Sequence, residues 1–485
     1  MTPGTLILLA FANLLVLYFV SYGLLNALFL GLFLVEFFRR PADEEPIPEG
    51  EAPKVSLLVP AYNEEKVIVQ TVRSLMTLDY PDFEIVVVDD GSRDRTSAVL
   101  LEAFPFQRVQ VDPAALPIPT QPLKAVYRAA APRPVWLAVK ENGGKSDALN
   151  AGLNLASGEI VVTIDADTIL TPQSLRRIVA PFRDPRIVAV GGLLTVANET
   201  VWQAGRLVGQ GLPRSPLALF QLVEYLVSYT IGRMALSKLN ALLVLSGAFS
   251  AFRRDLLLQI RGFLSERAHG RHTVCEDAEI IFRLHRCLYD HRIPGRMVFL
   301  MRPVAWTEVP ANARDVLRQR NRWHRGLGES LWLHRAMAFD PKYGRIGLFA
   351  IPYYLFFEFL APFMKVLAFL LIGLLVFLDL VHGPFVLTLI VVSLLVYGLA
   401  TAILTTTIEV RFQKTSPDNV QALRYQGLKD WLLLIVASLF VEPIFGTLRL
   451  IGQLWGFWDF LIGKRSWYKY QRQGVTHVDP LTQKE

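Results

Sequence analysis

An apolar run from Leu6 to Val35 contains no Lys or Arg and ends at Arg39 and Arg40. A run of that length predicts a helix able to span a bilayer, and the basic pair after it places residue 40 onward on the cytoplasmic side. A cleaved signal peptide fits less well, because its basic residues precede a short apolar core, whereas here the run is long and the charges follow it. Pro and acidic residues from Pro41 to Glu51 read as a linker. From about Pro53 to about Tyr343 the pattern changes. The short Val- and Ile-rich runs VSLLVP, EIVVVDD, EIVVTIDAD and RIVAVGG read as buried parallel strands. They alternate with helix-period segments such as Glu65 to Met76, where Ile68, Val72, Leu75 and Met76 share a face. The alternation predicts an α/β domain. The Pro-rich stretch from Asp112 to Pro134 reads as an irregular insertion.

Hydrophobicity returns at Ile346 and persists to about Ile462. Phe385 to Val410, uncharged but for Glu409 and followed by Arg411 and Lys414, predicts a span returning to the cytoplasm. Ile346 to Leu380 carries Pro352, Glu358, Pro362 and Lys365, which predicts an interfacial helix followed by one crossing. On a continuous helix Glu358 and Lys365 share a face, as lumen-lining or helix-pairing residues or as contacts to lipid head groups. Trp431 to Ile462 is interrupted by Glu442, Pro443 and Arg449. A single crossing there would put the basic segment KRSWYKYQR outside, so a re-entrant hairpin or interfacial helices are expected. The chain thus divides into an N-terminal transmembrane helix (1–40), a cytoplasmic α/β domain (53–343), transmembrane and interfacial helices (344–463) and a cytoplasmic tail (464–485).

Composition agrees: 52% hydrophobic residues and a mean hydropathy of +0.34 exceed soluble norms, and 19% charged residues fall below them. Cys275 and Cys287 provide neither a disulfide framework nor a four-ligand zinc site, and are expected to be free and structural. A net charge of +7 suits anionic head groups and a pyrophosphate-bearing substrate, without by itself separating these from nucleic acid. No G-x-G-x-x-G follows the first strand, which excludes a dinucleotide-dependent oxidoreductase of the usual kind.

The chemistry-bearing residues fall where strands end, and in open α/β sheets that edge binds ligands. Asp89 and Asp90 close the strand IVVVDDGS, where good turn chemistry is the alternative. Asp165 and Asp167 leave the strand IVVTIDADT one residue apart and on one side, as two hard oxygen ligands suited to Mg²⁺ or Mn²⁺ with positions left open for a diphosphate. Lys145 follows two glycines in ENGGKSDALNAGL, where a helix begins around Ser146 and amides and ammonium face phosphate oxygens. Asp277, in VCEDAEIIFRLHR, opens a helix with the apolar face Ile280, Ile281, Leu284 and Leu288, which a capping role explains equally. The run RQRNRWHRG, Arg318 to Gly326, sets cationic residues around Trp323, suiting phosphate and a sugar ring or, alternatively, a membrane-surface helix.

In their order these motifs resemble the processive family 2 glycosyltransferases, the cellulose, chitin, hyaluronan and poly-N-acetylglucosamine synthases, over roughly Val55 to Gly326 and the flanking membrane segments. The resemblance implies a GT-A-like, Rossmann-like mixed sheet in the cytoplasmic domain, joined to a helical transmembrane region. VPAYNEE, with Tyr62 and Glu64, resembles the nucleotide-binding opening strand and loop. DDG at Asp89 to Gly91 resembles the contact to uracil and ribose, GKSDALN the Lys-containing stretch near the nucleotide, and DAD at Asp165 to Asp167 the metal and diphosphate site. SGAFSAFRR, with Gly247, resembles the floor of the acceptor pocket. CED at Cys275 to Asp277 matches the TED or GED position with Cys as a departure, implying Asp277 as general base beside Glu276. QRNRW fits QxxRW, with Gln319, Arg322 facing the diphosphate and Trp323 facing the acceptor sugar. SWYKYQR loosely resembles a gating loop over the nucleotide. The implied protein is integral to the inner or plasma membrane. It is an inverting transferase with Mg²⁺ or Mn²⁺ as cofactor, a UDP-sugar donor, a polysaccharide or lipid acceptor, membrane lipids around it and no nucleic acid. A transferase adding one or a few sugars to a lipid, and a silent assembly subunit, are the competing readings.

Overall fold

The structure is a computed structural model and describes residues 3–39, 49–130, 133–203, 206–415, 425, 427–464 and 476–477. Its strands are β1 (Val55–Ala61), β2 (Phe83–Asp89), β3 (Gln107–Val109), β4 (Leu123–Ala129), β5 (Val135–Lys140), β6 (Ile160–Ile164), β7 (Ile187–Val196), β8 (Thr200–Gln203), β9 (Arg206–Gln210), β10 (Phe249–Arg253), β11 (Arg296–Thr307) and β12 (Thr476–His477). Nine form one sheet in the order β11-β7-β10-β6-β1-β2-β5-β4-β3, and β12-β8-β9 form a smaller one. At the centre β6, β1, β2 and β5 run parallel, so their carboxyl ends share one edge. These strands are mostly apolar because both faces are covered: Leu57, Val59, Ile85 and Val87 join one core, while Leu58, Val86 and Val88 join the other.

Two features depart from the sequence reading. β10 lies antiparallel between β6 and β7, so RIVAVGG finds its parallel partner in β11 rather than in the central strands. The Pro-rich stretch contains a strand, β4, antiparallel to β5. Only Val126 and Ala129 of β4 are buried, so it lacks the continuous apolar run by which the central strands are recognised.

Among the described residues, Leu6–Phe38, Gly383–Lys414 and Leu428–Leu461 are each long and apolar enough to cross a membrane. Phe29, Phe33 and Phe37, one turn apart, are buried on the domain, where burying each such ring contributes roughly 2 kcal/mol. Toward the other end Ile7 is 72% exposed and Leu14 63%, an apolar face that calls for lipid. Ile346–Phe359 and Ala361–Phe377 meet at a 46° bend, the geometry of a broken span or a re-entrant loop.

The bend means that Glu358 and Lys365 do not share the face that a continuous helix would give them. Glu358 accepts a hydrogen bond from the Tyr353 hydroxyl at 3.0 Å, and Lys365 pairs with Glu442 at 3.3 Å. In 431–462, where a re-entrant hairpin or interfacial helices are expected, the structure has one continuous helical run rather than a hairpin. Helix continues from Leu428 to Leu461 because Pro443 is absorbed in a π-helical turn, Val441–Gly446, and because Glu442 and Arg449 neutralise each other at 2.8 Å. SWYKYQR, residues 466–472, lies outside the described residues.

Candidate active site

The site is assembled at the shared edge of the parallel strands, beginning with the loop that leaves β1. Tyr62 and Glu64 are half-buried there. The amides of Asn63, Glu64 and Glu65 donate to Ser92 Oγ, Thr96 Oγ1 and Asp94 Oδ2, which fixes this loop to the one after β2. The helix predicted from Glu65 therefore starts only at Ile68. Asp89 and Asp90 are both 3% exposed. Asp89 accepts from Ser92 N and Ser97 Oγ, as its turn chemistry suggests. Asp90 accepts from Lys140 Nζ and from the amides of Gly143 and Gly144. Burial holds the Asp90 carboxyl above the usual carboxylate range, with the Lys140 ammonium opposing it. The two glycine amides, expected to face phosphate, are thus engaged by Asp90.

Lys140 is fully buried and also pairs with Asp147 at 2.7 Å. Sequence reasoning missed both residues. The available signal was one Lys within the apolar strand VWLAVK, a charge that must be paired once the strand is central.

Lys145 opens the helix Lys145–Leu155, an end where the backbone dipole disfavours a cation. It is held there by carboxylates: Nζ lies 2.7 Å from Asp165 and 2.7 Å from Glu276. Burial lowers its pKa, but these two carboxylates outweigh burial and leave it above the ordinary lysine value. One side chain thus joins the DAD and CED motifs, separated by more than a hundred residues of chain. Asp165 and Asp167 sit just past the end of β6 in a turn closed by Thr168 N on Asp165 O, so the turn rather than strand alternation places them.

Asp277 stands in the first turn of the helix Glu276–Asp290, whose buried face is the predicted one. Its Oδ2 accepts from Gly247 N at 3.0 Å and its Oδ1 from Ala278 N at 3.0 Å. Burial raises its pKa, and the negative charge of Glu276 raises it further, against the opposing pull of Lys145 and Arg322. A narrow cavity lined by Ser246, Gly247, Ser250, Glu276 and Asp277 opens beside the carboxylate.

The helix Ala313–Leu333 brings QRNRW to the same place. Arg322 donates to Val274 O at 3.3 Å and lies in the field of Glu276, Asp277 and Asp165. Trp323 is half-buried against Val274, Cys275 and Ala278, and Gln319 is half-buried one turn earlier. Arg320, His324 and Arg325 are buried, which excludes a membrane-surface basic helix. Close approach is built in: a Cβ on Gly326 would stand 2.3 Å from Cys275 Sγ. Both cysteines are free and buried, as expected.

For a metal, the donor set is two carboxylates, Asp165 and Asp167, in one turn. Among the described residues no group of three or more His, Cys, Asp or Glu side chains converges. Two hard oxygens with further positions left to diphosphate and water suit Mg²⁺ or Mn²⁺, so the residues fit such an ion.

Comparison with known proteins bears on the family and the fold. Residues 56–114 match the family described as Glycosyl transferase family 2, and residues 120–326 the one described as Glycosyltransferase like family 2, between them more than half of the chain. The chain is 29% identical to a beta-monoglucosyldiacylglycerol synthase of Trichormus variabilis, over 64% of this chain and 58% of that protein. It is 26% identical to a probable glycosyltransferase, YdaM, of Bacillus subtilis, over 88% of this chain and 93% of that protein. It is 25% identical to a poly-beta-1,6-N-acetyl-D-glucosamine synthase of Staphylococcus epidermidis, over 57% of this chain and 55% of that protein. The chain therefore spans little more than half the length of the first and the third. Among solved structures it resembles a mannosyltransferase of Pyrobaculum calidifontis in complex with GDP-Man and Mn²⁺. That likeness has a TM-score of 0.50 at 19% identity, covers 93% of this chain and all of that one, and identifies a GT-A-like mixed sheet.

Proposed function

The chain belongs to glycosyltransferase family 2, and we propose that it transfers a sugar from a UDP-sugar, with inversion, to a growing β-linked polysaccharide that it passes across the membrane. In this reading it is integral to the inner or plasma membrane, with the α/β domain in the cytoplasm. The observation that carries the proposal is the convergence of Asp277, Glu276, Lys145 and Asp165 beside Arg322.

Asp277 is the general base. Its raised pKa makes it a stronger proton acceptor than an exposed aspartate, and the amides of Gly247 and Ala278 keep the carboxylate aimed while it waits. It takes the proton of the acceptor hydroxyl. That oxygen bonds to the anomeric carbon as the bond to the diphosphate oxygen breaks on the opposite face, so an α-linked donor gives a β-linkage. Arg322 faces the departing diphosphate, and Lys145 holds Asp165 and Glu276 in place. Tyr62, Glu64, Asp89 and Asp90 belong to the nucleotide end of the site, the two aspartates by shaping its loops, and Gln319, Trp323 and Gly247 to the acceptor end. Asp167 and Asp165 would hold Mg²⁺ or Mn²⁺, which supplies charge neutralisation for the diphosphate.

A second reading is transfer of one or a few sugars to a lipid, which the resemblance to the cyanobacterial glucolipid synthase favours. Product size separates the two. Incubation of the purified protein with UDP-sugars is expected to yield a ladder of long β-linked chains, and a single lipid-linked sugar would select the second reading instead.

A further inference from the structure

Ion pairs run in one chain from the membrane helices to the helix that carries Trp323. Lys365 lies 3.3 Å from Glu442, Glu442 lies 2.8 Å from Arg449, and Arg449 lies 3.0 Å from Glu224. Glu224 then accepts two hydrogen bonds from Arg320, at 2.7 and 3.1 Å. Signs alternate along the chain, and side-chain exposure falls from 38% at Lys365 to 3% at Glu224. At its inner end the Arg320 guanidinium stands 4.4 Å from the centroid of the Trp323 ring, with Phe445 5.2 Å away.

Two π-helical turns frame this contact. Glu224 is followed directly by Tyr225–Tyr229, whose Tyr229 ring lies 6.4 Å from Trp323, and Glu442 and Phe445 both belong to Val441–Gly446. An indole is free to tip about its side-chain torsions unless something fixes its plane. A bidentate carboxylate holds a guanidinium in one orientation, and a guanidinium stacked on an indole orients the ring in turn.

We propose that Glu224 is a positioning residue for the acceptor: through Arg320 it sets the plane of the Trp323 ring, and Arg449, Glu442 and Lys365 tie that setting to the packing of the membrane helices. The inference rests on reading Trp323 as the platform for the acceptor sugar. Loss of Glu224 then weakens acceptor use while sparing the donor side, where Asp165, Lys145 and Arg322 are untouched. A pair that only held the fold together would depress both alike.

The test uses the full-length detergent-solubilised protein with UDP-glucose and UDP-N-acetylglucosamine, Mn²⁺, and either a β-linked disaccharide or diacylglycerol as acceptor. In Glu224→Gln the acceptor KM is expected to rise roughly tenfold, the scale of a desolvated cation–π contact. Acceptor-independent UDP release should stay within about twofold of wild type, and Glu224→Asp should restore much of the acceptor affinity. Emission from Trp323 alone, taken as the difference between each protein and its Trp323→Phe counterpart, should shift in Glu224→Gln. An unshifted emission overturns the positioning role whatever the activity, and equal loss of donor and acceptor steps overturns the assignment to the acceptor. A shifted emission in a protein silent toward every donor sinks the transferase reading instead and leaves the positioning of the ring standing.

Discussion

In the proposed mechanism Asp277 is the residue on which the chemistry depends, and its environment makes a pH prediction. The base must be ionised, so activity falls as pH drops through its pKa. Burial and Glu276 raise that pKa, and the acid limb of kcat/KM is expected above the ordinary aspartate value of about 3.9. Glu276→Gln removes the negative charge that raises it, and the limb should move to lower pH. A limb that moves upward, or does not move, would contradict the assignment of the base. Lys140 makes a stability prediction at the same scale. Lys140→Met leaves Asp90 and Asp147 buried without their cation and should destabilise the protein by about 3–5 kcal/mol, read as a lowered thermal midpoint. Asp165 and Asp277 could be singled out in the sequence because a carboxylate at a strand end or helix start is conspicuous, whereas Glu276 came only with the resemblance of CED to the family motif. That Lys145 binds Asp165 and Glu276 together was not legible, since the contact depends on how distant segments dock.

Among the elements, the central parallel strands were legible because double-sided burial writes itself as Val and Ile. β4 was not, because an outer strand with two buried residues looks like a loop with prolines around it. β10 lies in SGAFSAFRR, which entered only as a motif, and its insertion between β6 and β7 is a matter of topology that local pattern does not encode. Helix contacts show the same division. Gly326 carried no signal in the sequence, whereas in the structure it lets the Arg322 helix approach Cys275. Gly326→Ala should therefore destabilise the protein by roughly 1–3 kcal/mol through overpacking. Adding Cys275→Gly should recover part of the loss in a thermal-melt comparison. Strictly additive effects would mean that the two sites do not meet.

At the scale of the molecule, the N-terminal helix and the helices after residue 345 were legible as apolar runs, and the bend at Leu360 falls in the stretch where Pro352 and Pro362 argue against a single rod, while the unbroken run through Pro443 was not legible. Proline signals a break, but a π-helical turn backed by paired charges accommodates it. The proposed orientation puts the linker before β1 and the turn between the helices Ala361–Phe377 and Gly383–Thr415 on opposite sides of the membrane. Gly50 and His382 are exposed there, and both native cysteines are buried. In intact cells a membrane-impermeant thiol reagent should label His382→Cys, and Gly50→Cys only after permeabilisation. Labelling of both under the same condition would place the catalytic domain differently.

The central claim is that this constellation transfers sugar from a nucleotide donor, and UDP release tests it most directly. The purified protein is assayed across a panel of UDP-sugars with Mg²⁺ or Mn²⁺, beside Asp277→Asn. Metal-dependent release with at least one donor is predicted, falling by roughly 10²–10⁴ in the variant. Release that persists undiminished in Asp277→Asn, or a folded protein silent toward every donor and acceptor offered, would contradict it.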